Sequence, residues 1–278
     1  MPIFNSETLQ LVLQLVVGVI FLAGCTALLF LAFKIQTTPY KSCVSKITFL
    51  KQTPFTFQHA TYVIGVTLFF ALPGLFPESE KIPDNLALLL GPLLYFACGI
   101  LTVSLILLNR RITFDTAFFN TPESVRSQIS KGVLYGLAVI PFITLLSMGI
   151  NVLLDRYGYP PQQQAIFDWL TDPTRPMGVR LGLIAFAIVL APIVEEFLFR
   201  GVLLGSFVQK RGWATGIWLP ALYFAVVHLD LAAFVPLFVL GIAFSLAYAA
   251  TGSLVTPIVM HALFNFTSLI IYLSQPVT

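Results

Sequence analysis

Six polar residues in the last third of the chain have the types and spacing to do chemistry. Glu195, Glu196 and Arg200 fall in LGLIAFAIVLAPIVEEFLFRG, and His228, His261 and Asn265 follow on later apolar stretches. No charge occurs from Leu181 to Val194, and then two carboxylates and a guanidinium arrive together. A charge near the centre of a bilayer costs about 2.5 to 3.5 kcal/mol even on the lenient insertion scale, so such a cluster requires partners. Glu196 and Arg200 are four apart, share a helix face and have ion-pair spacing. Glu195 is turned about 100° from Glu196 and is left for other use. A cluster that only locked two helices together would need Glu196 and Arg200 but has no use for the second acid.

The chain has three histidines, His59, His228 and His261. His59 lies beside Gln58 at the start of an apolar run and reads as structural or solvated. His228 ends WLPALYFAVVH, with Phe224 one turn earlier on the same face. His261 opens HALFN, which sets Asn265 one turn on, so imidazole and carboxamide project side by side. A single intramembrane histidine is often no more than hydrogen-bonded to nearby backbone. A carboxylate base, two imidazoles and an amide on three helices form a set able to activate water and hold an oxyanion. Asp230, two residues past His228, either orients that ring or marks the aqueous end of its helix.

The elements that must position these groups are membrane helices. At 278 residues, 58% hydrophobic and 10% charged, with 26 phenylalanines, the chain is far from the usual soluble balance of about 25% charged. It reads as all-α, a single polytopic membrane domain over 1–278. A net charge of +3 gives no ground for a nucleic-acid partner. Cys25, Cys43 and Cys98 show neither CxxC spacing nor histidine neighbours and give no ground for a disulfide framework or a zinc knuckle. The first apolar run, about 9–33, is longer than a signal-peptide core, lacks a basic flank before it and reads as a retained span.

Apolar runs long enough to span predict eight helices, near 9–33, 55–76, 86–108, 133–154, 179–200, 213–229, 231–250 and 254–273. Lys34, Lys41, Lys46 and Lys51 follow the first span without an acid, whereas Glu78, Glu80 and Asp84 outnumber Lys81 in the next loop. Arg110, Arg111, Arg126 and Lys131 follow the third span, and Lys210 and Arg211 follow the glutamate helix. By the positive-inside rule these basic loops are cytoplasmic and both termini lie on the opposite side. The long connection 155–180 carries Pro160, Pro161, Pro173, Pro176 and Gln162 to Gln164. Within it Ile166, Phe167, Trp169 and Leu170 can form a short interfacial helix, as a lid or, preferably, a linker.

Taken from the basic ends, Glu195 and His228 come to similar depth, about 22 and 25 Å along their helices. His261 comes out shallower, which calls for a tilt or a break near Pro257. The site is expected as a cavity among these three helices, open to the cytoplasm or sideways to lipid.

The string EEFLFRG, the FxxxH pair Phe224 and His228, the HxxxN pair His261 and Asn265, and the linking GIAFSLAYAATGSLVTPIVMH resemble the CAAX prenyl protease and bacteriocin-processing family. These are glutamate intramembrane endopeptidases that include the Ras-converting enzyme. The resemblance covers about 180–272, the catalytic core it implies; the first 170 residues match only as hydrophobic helices. It implies that Glu195 and His228 activate water, that His261 and Asn265 stabilise the oxyanion, and that Glu196 and Arg200 are a supporting ion pair. Many relatives carry small hydroxyl residues where this chain has Pro220, Ala221 and Leu222. The implied substrate is a lipidated or hydrophobic peptide cut near its C-terminus by direct attack of water, without a cofactor.

Three alternatives stand beside it. Glu195, His228 and His261 plus water make an acceptable catalytic zinc set, but HExxH is absent and Asn265 would be idle. A non-catalytic immunity or partner-binding membrane protein has no need of the intact polar set. A transporter fits poorly with charge confined to one third of the chain and no inverted repeat. No feature of the sequence fixes an oligomeric state.

Overall fold

The computed structural model describes residues 7–37, 48–75, 84–159 and 165–275. Lys41, Cys43, Lys46, Glu78, Glu80, Lys81, Pro160, Pro161 and Gln162 to Gln164 fall outside the described residues. The described chain is helical, and its one β feature is an isolated bridge between Phe119 and Ser253. The helices are α1 Glu7–Thr37, α2 Phe57–Ala71, α3 Asn85–Arg110, α4 Phe114–Phe118, α5 Val125–Arg156, α6 Ala165–Thr171, α7 Met177–Arg211, α8 Trp213–Val227, α9 Leu231–Thr251 and α10 Val255–Leu273.

Each of the eight expected spans is a helix. Six are long and apolar enough to cross a membrane, and the chain is an integral, multi-pass membrane protein. The two exceptions, α2 and α8, have 15 residues each, about 22 Å against a hydrocarbon core of about 30 Å. Local chemistry explains where they stop. α2 runs into Leu72 and Pro73 in a 3-10 turn. α8 ends at His228, and Leu229 at φ 53° turns the chain back. Asp230 then caps α9 by accepting from the Ala233 amide at 3.0 Å, so this acid starts a helix.

Basic residues collect at one end of the bundle. There the end of α3 meets the segment before α2, as Arg110 donates to the Pro54 carbonyl at 3.2 and 3.3 Å. The end of α7 joins them through Gln209 on the Thr53 carbonyl at 3.1 Å, with Lys210 stacked 3.8 Å over Phe57. The Asn120 amide on the Gly252 carbonyl, 2.7 Å, ties in the end of α9. At the other end Gln14 donates to the Ser274 carbonyl at 3.2 Å, so α1 starts where α10 finishes.

The predicted short helix in the long connection is α6. Its Leu170 is buried with Leu88, Val179, Leu183 and Leu269, and Phe167 stacks on Tyr272 at 4.6 Å. It is packed against α3, α7 and α10, which is more than a linker requires.

Candidate active site

The glutamate helix does not wind uniformly. α7 is α-helical over Met177–Ala185, Ala191–Glu196 and Gly205–Arg211 and π-helical over Phe186–Leu190 and Phe197–Leu204. Wider turns shift backbone carbonyls out of the regular ladder, and such bulges often occur at functional sites. Here Asn265 Nδ2 donates to the Ala187 carbonyl at 2.8 Å, joining α10 to the first wide turn. The one α-helical turn between the two wide ones carries both glutamates.

Glu196 points inward. Its Oε1 accepts from Arg200 Nη1 at 2.8 Å and lies 2.9 Å from His261 Nδ1. Both members of the ion pair are buried, and Arg200 Nη2 also reaches the Gly241 carbonyl at 3.2 Å. The guanidinium lies among three rings, 4.6 Å from Phe224, 5.0 Å from Phe244 and 5.8 Å from Phe199. Aromatic faces lower the cost of a buried cation. Gly241 makes this possible, since α9 approaches α8 so closely that a Cβ there would lie 3.1 Å from Ala221.

Glu195 points the other way, into a cavity of about 450 Å³ whose wall also includes His228, Thr67, Tyr95 and Phe199. Its Oε2 is 3.8 Å from His261 Nε2. His228 sits at the end of the short helix α8, and its Nδ1 meets the Phe224 carbonyl at 2.6 Å. A carbonyl only accepts, so Nδ1 carries the proton and the Nε2 lone pair is left to act as a base or hold water. The Phe224 ring packs 4.7 Å from His228 and 5.8 Å from His261, a spacer between the two histidines.

The cavity exists because α2 and α8 stop short: Ala71, Pro73, Val227 and His228 line it, with Gly91 and Pro92 from the first half of α3. All these residues lie in the half of the bundle away from the basic loops.

No break occurs at Pro257, which sits in the first turn of α10, where a proline is tolerated. His261 still reaches both glutamates. Neither His261 nor Asn265 belongs to the cavity wall, however, and both ring nitrogens of His261 face carboxylates. Among the described residues no three His, Cys, Asp or Glu side chains are grouped to hold a metal. His59 is structural, its Nδ1 accepting from the Thr56 amide at 2.9 Å at the start of α2.

Sequence reasoning missed the opposite wall, Thr67 and Phe70 of α2 and Tyr95 of α3. Their sole signal was the interruption of an apolar run by Gly91, Pro92 and a lone Tyr95.

Residues 178–267 match the family model described as type II CAAX prenyl endopeptidase Rce1-like. The chain is 29% identical over 157 residues to "Putative membrane peptidase YdiL" of Bacillus subtilis (strain 168), across 55% of this chain and 61% of that protein. It is 27% identical over 184 residues to "Membrane-embedded CAAX protease MroQ" of Staphylococcus aureus (strain USA300), across 64% of this chain and 72% of that one. The chain thus spans less than two thirds of the Bacillus relative. No solved structure matches it.

Proposed function

We propose, since residues 178–267 match the type II CAAX prenyl endopeptidase Rce1-like model, that this membrane protein is an intramembrane endopeptidase acting on hydrophobic or lipidated peptides through direct attack of water. The observation that carries the reading is the cavity that Glu195 and His228 line together, with the His228 tautomer fixed by Phe224. Two acceptors on one wall can each take a proton from a water beside a substrate carbonyl.

In this mechanism the water oxygen bonds to the carbonyl carbon as its proton passes to Glu195 or to His228 Nε2. The tetrahedral intermediate then collapses, the carbon–nitrogen bond breaks and the same proton goes to the leaving amine. His261 acts as the neighbour that orients Glu195, and Asn265 secures the wide turn before it.

The basic end of the bundle is cytoplasmic by the positive-inside rule, which places both ends of the described chain and the cavity half on the other side. The purified protein in lipid nanodiscs, given a fluorogenic apolar peptide, is expected to cleave it, and Glu195→Ala is expected not to. Absence of cleavage across lipidated and unlipidated apolar peptides would remove the protease reading and favour a non-catalytic partner protein.

A further inference from the structure

The two glycines of α3 are of opposite kinds. Gly99 is a packing glycine, since a Cβ there would lie 2.2 Å from Val194 Cγ2. A Cβ on Gly91 would meet no atom within 4 Å, and the residue is exposed while lying on the wall of the cavity that Glu195 and His228 share. Glycine inside a helix costs stability relative to alanine, and neither a close approach nor a left-handed backbone calls for it at Gly91. Having no side chain, Gly91 meets the cavity with its backbone, so its place on the wall does not depend on a rotamer.

Helix spacing gives the direction of the open space. Gly91 and Tyr95 are four apart and share a face of α3, and the Tyr95 ring packs edge-on against Phe70 of α2 at 5.4 Å. The open side of Gly91 therefore faces the end of α2, where the helix stops at Ala71 and the chain turns through Pro73. Ala71 and Pro73 lie on the same wall, as does Pro92. Small residues on both helices thus leave a lobe of the cavity between the end of α2 and the first half of α3.

We infer that Gly91 is a specificity-determining residue, which keeps this lobe open for a bulky apolar side chain of the substrate next to the bond being cut. This rests on the protease reading above. The occupant is apolar because Ala71, Pro73, Gly91 and Pro92 bring no charged or hydrogen-bonding side chain, and it adjoins the cut bond because the lobe belongs to the same cavity, of about 450 Å³, as Glu195 and His228. Gly91 lies outside the segment 178–267 that matches the family model, so selection of the substrate falls to the α2–α3 hairpin.

Wild type, Glu195→Ala, Gly91→Ala, Gly91→Leu and Gly149→Leu are compared in nanodiscs on apolar fluorogenic peptides with phenylalanine or alanine beside the cut bond, each with and without a lipid group. Gly149→Leu is the control for added bulk, since a Cβ there also meets nothing within 4 Å but the residue stands on α5, away from the wall. Wild type is expected to prefer phenylalanine. That preference, read as a ratio of kcat/KM, is expected to fall about ten- to two-hundredfold in Gly91→Ala, the worth of one apolar carbon in such a pocket. It falls further in Gly91→Leu, while Gly149→Leu keeps the wild-type ratio and Gly91→Ala the wild-type melting midpoint. An unchanged ratio in both Gly91 variants, beside an inactive Glu195→Ala, overturns the assignment and leaves the protease reading standing. Equal losses on the two peptides also overturn it, since they mark a distorted site, and a loss confined to lipidated peptides overturns it by giving the lobe to a lipid chain. A wild type that cleaves no peptide removes both readings.

Discussion

His261 Nδ1 lies 2.9 Å from Glu196 Oε1, the same oxygen that Arg200 reaches at 2.8 Å. One buried carboxylate therefore holds an imidazole from α10 and a guanidinium from its own helix, and it fixes the second histidine beside Glu195. In the proposed mechanism structural and chemical duties are divided between adjacent residues.

That division makes the two glutamates fail differently. Glu196→Ala leaves Arg200 buried without its acid, and breaking a buried pair on one side costs about 3 to 5 kcal/mol. The variant is expected to melt early, and Glu196→Ala combined with Arg200→Ala to be more stable than either alone. Glu195→Ala is expected to melt as wild type and not turn over. Thermal melts of the four variants check this, and a normally folding Glu196→Ala that is inactive, beside an active Glu195→Ala, would reverse the roles.

Asn265→Ala removes the bond to Ala187. A tie on the wide turn loses stability together with rate, whereas an oxyanion donor loses rate alone. The expected outcome is a lower melting midpoint and a slower kcat. Slower kcat at an unchanged midpoint would return Asn265 to the oxyanion role implied by family resemblance.

Close packing behind the glutamates gives a third expectation. A Cβ on Gly99 would lie 2.2 Å from Val194 Cγ2, and Val194 is a fully buried, β-branched residue next to Glu195. Overpacking of this kind costs about 1 to 3 kcal/mol. Gly99→Ala is expected to lower both melting midpoint and kcat, and Gly149→Ala, which meets nothing within 4 Å, to change neither.

Turnover is expected to continue in strong chelator, because the water-activating acceptors and the donors are supplied by side chains. Loss of activity restored by zinc would favour the metal reading of Glu195, His228 and His261.

Helices at the eight expected positions, six of them long enough to span, and the Glu196–Arg200 pair were legible in the sequence because both follow from local rules, the length of apolar runs and i,i+4 spacing. The π-helical turns were not, since the bond from Asn265 to Ala187 links positions 78 residues apart. Spacing placed His261 and Asn265 on one face correctly but could not show that this face meets Glu196 and Ala187 before it meets the cavity. Tyr95 was silent for a similar reason, since packing of α3 on α7, as at Gly99 against Val194, brings it to the cavity wall.

The most direct measurement is single-turnover cleavage of an apolar peptide by Glu195→Gln and by His228→Ala, beside wild type. Glutamine keeps the size of Glu195 but cannot take a proton, and loss of a positioned base costs about a hundred- to ten-thousandfold. Both variants are expected to fall by at least a hundredfold while binding the peptide as wild type does. Wild-type cleavage by Glu195→Gln would contradict the assignment of water activation to the wall that Glu195 shares with His228.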